Sequence, residues 1–224
     1  MKVMYIGQAG LIFRKEDFTI MIDPYLSDSV KEVNPLNYRR VAVDESIFDV
    51  RPDVMIFTHN HSDHYDKETV QKFLFDDSGI TVLSPKSVWE DVRLIGGNNN
   101  YVLFNRHTSW TENGITFTAV KAEHSDCCAI GVIIDDGDKK YYVTGDTLYN
   151  ENIFTDIPED IYAVFLPVNG VGNNMNMCDA ARFAKRIEAE KVIPIHIGMF
   201  DELAAESFVC DNKVIAEVYK EVII

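Results

Sequence analysis

The chain lacks the features that would place it outside the cell or within a membrane. It has only four cysteines, Cys127, Cys128, Cys178 and Cys210, and they outline no disulfide framework. Cys127 and Cys128 are adjacent, a poor spacing for a zinc site as well. A reducing, cytoplasmic compartment is the expectation. No apolar run approaches the roughly 20 residues that span a bilayer, so no membrane partner is expected. The opening Met1–Ile6 passes to Gly7, and charges return from Arg14 to Asp17, which is unlike a signal peptide. Positive charge is scarce, with 21 Lys and Arg against 36 Asp and Glu, a net charge of −15. Such a surface repels phosphate backbones, so a small-molecule substrate is expected and a nucleic-acid partner is not. Linkers, low-complexity tracts and charged tails are missing too. Residues 1–224 are therefore expected to form one domain.

What is present is a series of short apolar segments. Val3–Ile6, Leu11–Arg14, Phe18–Ile22, Val54–Thr58, Thr81–Leu83, Ile115–Val120, Ala129–Ile134 and Lys140–Thr144 have the composition of strands. Asp135–Asp138 reads as the hairpin turn between the last two. Ala163–Val168 and Val192–Ile195 are wholly apolar, as strands buried on both faces are. Asp66 is a helix N-cap for Lys67–Phe75, where Val70, Phe73 and Leu74 fall at helical spacing. Lys86–Leu94 is expected to form a short helix, and Asp179–Glu190 a longer one with Ala180, Ala181, Phe183, Ala184 and Ile187 inward. Leu26–Asp44, with Pro35, is expected to be an ordered loop. The last twenty residues are expected to form a short helix docked on the sheets.

The chemistry gathers at the ends of these strands. Val54–Phe57 runs into Thr58-His59-Asn60-His61-Ser62-Asp63-His64, a His-x-His-x-Asp-His pattern. The two-residue period of a strand would keep His59 and His61 on one side, and Asp63 and His64 can turn toward a second ion. His124 comes a few residues after Ile115–Val120, Asp146 follows Tyr141–Gly145, and His196 follows Val192–Ile195. A lone histidine is more often structural than a ligand, but a cluster at fixed spacing reverses that balance. The ligands then divide evenly. His59, His61 and His124 hold one ion, Asp63, His64 and His196 a second, and Asp146 bridges, each ion keeping an open position for a shared water. Two divalent cations are implied, zinc or manganese, with iron also compatible with these donors. Around them, Asp23 is expected to accept a hydrogen bond from a ligating imidazole, and Thr147 to support Asp146. Asn169 and Asn174 bound a Gly/Asn loop suited to substrate contact, and His107 beside Arg106 is either a contact for a substrate anion or, the favoured reading, half of an exposed loop pair.

In this order the pieces resemble the metallo-β-lactamase superfamily. Tyr5-Ile6-Gly7-Gln8-Ala9-Gly10 and Ile20-Met21-Ile22-Asp23-Pro24-Tyr25-Leu26-Ser27, with Ala122–Ser125 and Val192–His196, are more specifically similar to the ascorbate-6-phosphate lactonase-like branch of metal-dependent hydrolases. The resemblance covers nearly the whole chain. It implies an α/β (α+β) fold, a four-layer αββα sandwich with its site at one edge, and the ligand sharing just described. It leaves a homo-oligomer open, since family members often assemble. His61 stands where the oxygen-reducing flavodiiron branch has glutamate, and no long insertion follows Asp146 to form the cap of a processing nuclease. The segment from Asp23 to His59 is shorter than in the lactonase itself, so a sugar-phosphate pocket of that kind is not implied.

The expected activity is hydrolysis of a small ester, lactone or phosphoester. Two cations bring the pKa of a bridging water to near neutrality, and the hydroxide attacks a carbonyl or phosphoryl centre. By the resemblance Asp63 touches both metal and water, which makes it the candidate catalytic residue. A phosphodiesterase or nuclease could use the same site. A non-catalytic, metal-stabilised binding domain would predict missing ligands, yet all seven positions are filled.

Overall fold

The N-terminal apolar runs pair as antiparallel neighbours, β1 (Lys2–Gly7), β2 (Gly10–Lys15) and β3 (Phe18–Ile22). In this computed structural model, which describes residues 1–224, a short helix α1 (Ser29–Val33) interrupts the expected loop before β4 (Val54–Ile56). Helices α2 (Lys67–Phe73) and α3 (Lys86–Val92) then alternate with β5 (Thr81–Ser84) and β6 (Asn100–Leu103), and β3 to β6 pair in parallel. Asp66 caps α2 as expected, its carboxylate accepting from the Thr69 N–H at 3.2 Å.

The second sheet is built from β7 (Ser109–Glu112), β8 (Ile115–Lys121), β9 (Ile130–Asp135), β10 (Lys140–Val143), β11 (Ile161–Pro167) and β12 (Lys191–Ile195). Helix α4 (Met177–Ile187) links its last two strands, with the Asn176 side chain accepting from the N–H groups of Cys178 and Asp179. A final strand, β13 (Lys220–Val222), returns to the first sheet and pairs with β1. The orders are β13-β1-β2-β3-β4-β5-β6 and β12-β11-β10-β9-β8-β7.

Side-chain alternation makes the layers. Phe13, Ile20, Ile22, Val54 and Ile56 of the first sheet meet Phe117, Val132, Tyr141 and Phe165 of the second in one buried cluster. Each such buried side chain contributes roughly 1.5–3 kcal/mol. Met21, Met55 and Val82 face outward onto Val70 and Phe73 of α2 and Val88 and Val92 of α3. On the opposite side Tyr142, Val164 and Val192 pack on Ala180, Phe183 and Ala184 of α4. Helices thus cover both outer faces, giving the αββα sandwich. No helix is long and apolar enough to cross a membrane.

Three expectations change. The last twenty residues form no α-helix. A single 3-10 turn spans Ala205–Ser207, residues 212–214 bond along Val192, and β13 closes the β1 edge. Helix α4 begins earlier than expected and stops at Ile187, because Glu188 turns left-handed at φ 53°. The His cluster is not on a strand, since β4 ends at Ile56.

Candidate metal centre

All the predicted ligands lie in loops at one edge of the sandwich. His59 to His64 follow β4 and close a turn in which the N–H groups of His64 and Tyr65 donate to the His61 carbonyl at 3.0 and 2.8 Å. A turn, not a strand's two-residue period, therefore sets their directions. His124 follows β8, Asp146 follows β10, and His196 follows β12. These three strands run the same way through their shared pairings. Gly145 allows the convergence. Its φ is +61°, and a Cβ there would lie 2.8 Å from the Ile130 oxygen and 2.9 Å from the Thr58 Cβ, so only glycine lets the Asp146 loop rest against the Thr58 loop.

The donor atoms form two groups. Those of His59, His61, His124 and Asp146 lie within 4.8 Å of one another, as do those of Asp63, His64 and His196. Asp146 addresses both groups with different oxygens. Its Oδ2 is 3.9 Å from His59 Nε2 and 4.0 Å from His124 Nε2, while its Oδ1 is 3.2 Å from His64 Nε2 and 3.3 Å from His196 Nε2. Asp63 Oδ2 stands 3.3 Å from His196 Nε2, and His61 Nδ1 stands 3.2 Å from His124 Nε2.

The rings are held from behind. His64 Nδ1 donates to Asp23 Oδ2 at 2.9 Å, and the same oxygen accepts from the Thr58 hydroxyl at 2.6 Å. The Thr58 hydroxyl lies 3.1 Å from His59 Nδ1, so the buried Asp23 reaches both rings, one directly and one through Thr58. His124 Nδ1 donates to the Asn173 carbonyl at 3.1 Å, and His196 Nδ1 faces the Asn169 carboxamide at 3.1 Å. Fixing the rear nitrogen leaves Nε2 free to ligate. His59 Nε2 is buried and has no hydrogen-bond partner, a cost of roughly 1–3 kcal/mol unless something positive meets it. That orphaned nitrogen and the imidazole–carboxylate donor set fit divalent cations.

Charge makes the same demand. Burial pushes His59 and His124 below the ordinary histidine value, so both rings are neutral donors. For His64 burial acts the same way, but Asp146, Asp23 and Asp63 overcome it and hold the ring well above that value. His196 is pushed up to about 10 against burial by Asp146 and Asp63. Burial would raise Asp146 and Asp63, yet both sit well below the carboxylate range, Asp146 through His196 and His64, and Asp63 through His64 and His196. A divalent cation bound here would take the place of protons on these rings.

Residues 19–197 match the family model of the beta-lactamase superfamily domain. The chain belongs to the metallo-β-lactamase superfamily. It is similar to a protein of Methanosphaera stadtmanae described as a metal-dependent hydrolase, 29% identical over 222 residues, spanning 89% of this chain and 85% of that one. Two solved structures share the fold. A possible metal-dependent hydrolase from Veillonella parvula DSM 2008 superposes with a TM-score of 0.82 at 17% identity, covering 100% of this chain and 99% of that one. The isothiocyanate hydrolase from Delia radicum gut bacteria gives 0.80 at 20% identity with the same coverage.

Other predicted residues of this metallo-β-lactamase superfamily member fall in varied places. Thr147 is buried but does not hold Asp146. Its hydroxyl accepts from the Glu123 N–H at 2.9 Å and donates to the Leu148 carbonyl, bracing the loop of His124. Asn174 supports Asp146 instead, its Nδ2 donating to Asp146 Oδ2 at 2.9 Å. Asn169 and Asn174 both line a cavity of about 350 Å³ above the donor groups, and His107 does not. His107 and Arg106 bind Asp156 at 3.2 and 2.6 Å. His107 is therefore an exposed loop residue bonded to Asp156, and the substrate contact is not made.

Gln8 escaped sequence reasoning. It is buried in the β1–β2 turn at φ 53°. Its carbonyl accepts from the His196 N–H and the Tyr5 hydroxyl, each at 2.8 Å, and its Nε2 donates to Asp63 Oδ2 at 2.8 Å. The available signal was a large polar residue inside the tight turn Gly7-Gln8-Ala9-Gly10. Gln8, Asp23 and His196 share left-handed backbone, the kind of strain that gathers at functional sites.

Proposed function

We propose that this chain is a binuclear metal-dependent hydrolase of small esters, lactones or phosphoesters, of the lactonase-like kind. The observation that carries the reading is Asp146, whose two oxygens address two separate donor groups. His59, His61 and His124 would hold one divalent cation and Asp63, His64 and His196 the other, with Asp146 shared. Such cations, zinc, manganese or iron, supply an acidified water and polarise the oxygen of the bond under attack.

The chain's own residues supply the geometry. Asp23, Thr58 and the Asn173 carbonyl fix the imidazoles, so little reorganisation is needed when substrate arrives. Asp63 is the catalytic residue. It lines the cavity, its side chain is 19% exposed, and Gln8 holds its Oδ2, which leaves a carboxylate able to orient the attacking water and take its proton.

Asp63→Asn tests this role. In protein reloaded with zinc or manganese, the turnover of a generic lactone or phosphodiester is expected to fall by about 10²–10⁴-fold, with circular dichroism unchanged. Undiminished turnover removes Asp63 from the mechanism. A wild-type chain purified without chelator that binds fewer than about one ion overturns the metal-dependent reading itself.

A further inference from the structure

The walls of the cavity narrow the substrate, given the hydrolase reading above. Its volume of about 350 Å³ suits a small molecule. Apart from imidazoles, every ionisable side chain lining it is acidic, with Asp63 and Asp146 at the floor and Asp201 on the wall. No lysine or arginine lines it.

The arginines that approach this region are committed elsewhere. Arg39, only 9% exposed, donates to the Tyr25 carbonyl and to the Tyr219 hydroxyl. Arg40 donates to the carbonyls of Tyr38 and Phe200, each at 2.7 Å, and stands 3.6 Å from Glu202. Proteins recognise phosphate with charge-assisted donors, arginine forks above all. Here a phosphate group would find no such donor beyond the cations and would meet the Asp201 carboxylate. The rest of the wall is neutral. The carboxamides of Asn37 and Asn169 donate and accept without charge, and Val30, Val171 and Phe200 offer apolar surface to a carbon skeleton.

We infer that the substrate is an uncharged carboxylic ester or lactone bearing no phosphate. Water adds its oxygen to the acyl carbon and the acyl C–O bond breaks. One proton goes to the departing alkoxide and the other to solvent, so a lactone yields a single hydroxy acid as its carboxylate. The new anion faces the acidic wall in a chain of net charge −15, which favours its departure.

The test compares a hydroxy-lactone with its own phosphorylated form, so that the scissile bond is the same and only charge differs. On wild-type protein carrying measured zinc or manganese, kcat/KM for the uncharged lactone is expected to exceed that for the phosphorylated one by at least about tenfold. Asp201→Asn keeps the oxygen that accepts from the Gly198 and Leu203 N–H groups. It is expected to narrow that preference about threefold or more through KM. Equal or better turnover of the phosphorylated lactone overturns the inference and leaves the hydrolase reading standing. An unchanged preference in Asp201→Asn overturns its electrostatic basis. Metal-loaded protein that hydrolyses neither lactone, nor 4-nitrophenyl acetate, nor bis(4-nitrophenyl) phosphate overturns both readings together.

Discussion

The two donor groups around Asp146 are held in different ways. His59 and His124 are backed by neutral partners, the Thr58 hydroxyl and the Asn173 carbonyl, and burial keeps their rings uncharged. His64 and His196 are backed by the Asp23 carboxylate and the Asn169 carboxamide, with Asp63 held by Gln8, and carboxylates drive both rings toward the cation. His59 and His124 offer neutral nitrogens, whereas a cation joining His64 and His196 would take the place of protons. The contrast teaches that ligands alike in sequence are prepared by what stands behind them.

Substitutions can break that contrast or sharpen it. The largest effect is expected from Asp146→Ala, which removes the one residue common to both groups. Bound metal should fall below about one ion per chain and hydrolysis should vanish; a variant that still binds one ion tightly would show that the first group works alone. Asp23→Asn comes next, because its NH2 must face a donor, either the Thr58 N–H or the Thr58 hydroxyl and His64 together. Metal affinity is expected to drop about 10–100-fold at both positions, read by competition with a chromogenic chelator. Weakening at only one position would show that Thr58 does not relay the support.

Gln8→Ala should separate the groups, since it touches only the second. About tenfold weaker binding of one ion is expected with the other unchanged, and two unchanged affinities would reduce Gln8 to a turn residue. The smallest effect belongs outside the site. Arg106 donates to Asp156 at 2.6 and 2.8 Å and holds its carboxyl well below the usual range. A carboxyl depressed by folding stabilises above its unfolded pKa of about 4, and that stability is lost as pH falls through the lower folded value. Arg106→Ala should therefore cost no more than about 1 kcal/mol at pH 7, with the difference from wild type shrinking in urea titrations at pH 3. Metal content should not change.

The elements legible in the sequence are those whose pattern is local. Phe18–Ile22, Val192–Ile195 and the Asp66-capped helix carry their own apolar spacing, and the His cluster carries its own chemistry. Edge strands do not. Asn100–Leu103 and Lys220–Val222 are largely exposed and become strands only because a distant partner, β5 or β1, supplies the hydrogen bonds. The C-terminal helix was expected for that reason and is not there. Asp23 was legible because it ends a strand beside the cluster. Gln8 was not, because its partners His196 and Asp63 lie 188 and 55 residues away. Asn174 takes the role expected of Thr147 because a carboxamide can reach Asp146 where the shorter hydroxyl is already engaged with backbone.

The loop holding His59 to His64 leaves the first sheet, whereas His124, Asp146 and His196 all leave the second. Any cation seated among them is a rivet through both halves of the sandwich. Its binding energy then adds to cohesion at that edge, by about 4 kcal/mol when free metal stands a thousandfold above its dissociation constant. A cell that withholds metal would lower the mechanical resilience of this chain along with its chemistry, and its lifetime against proteases would report metal supply.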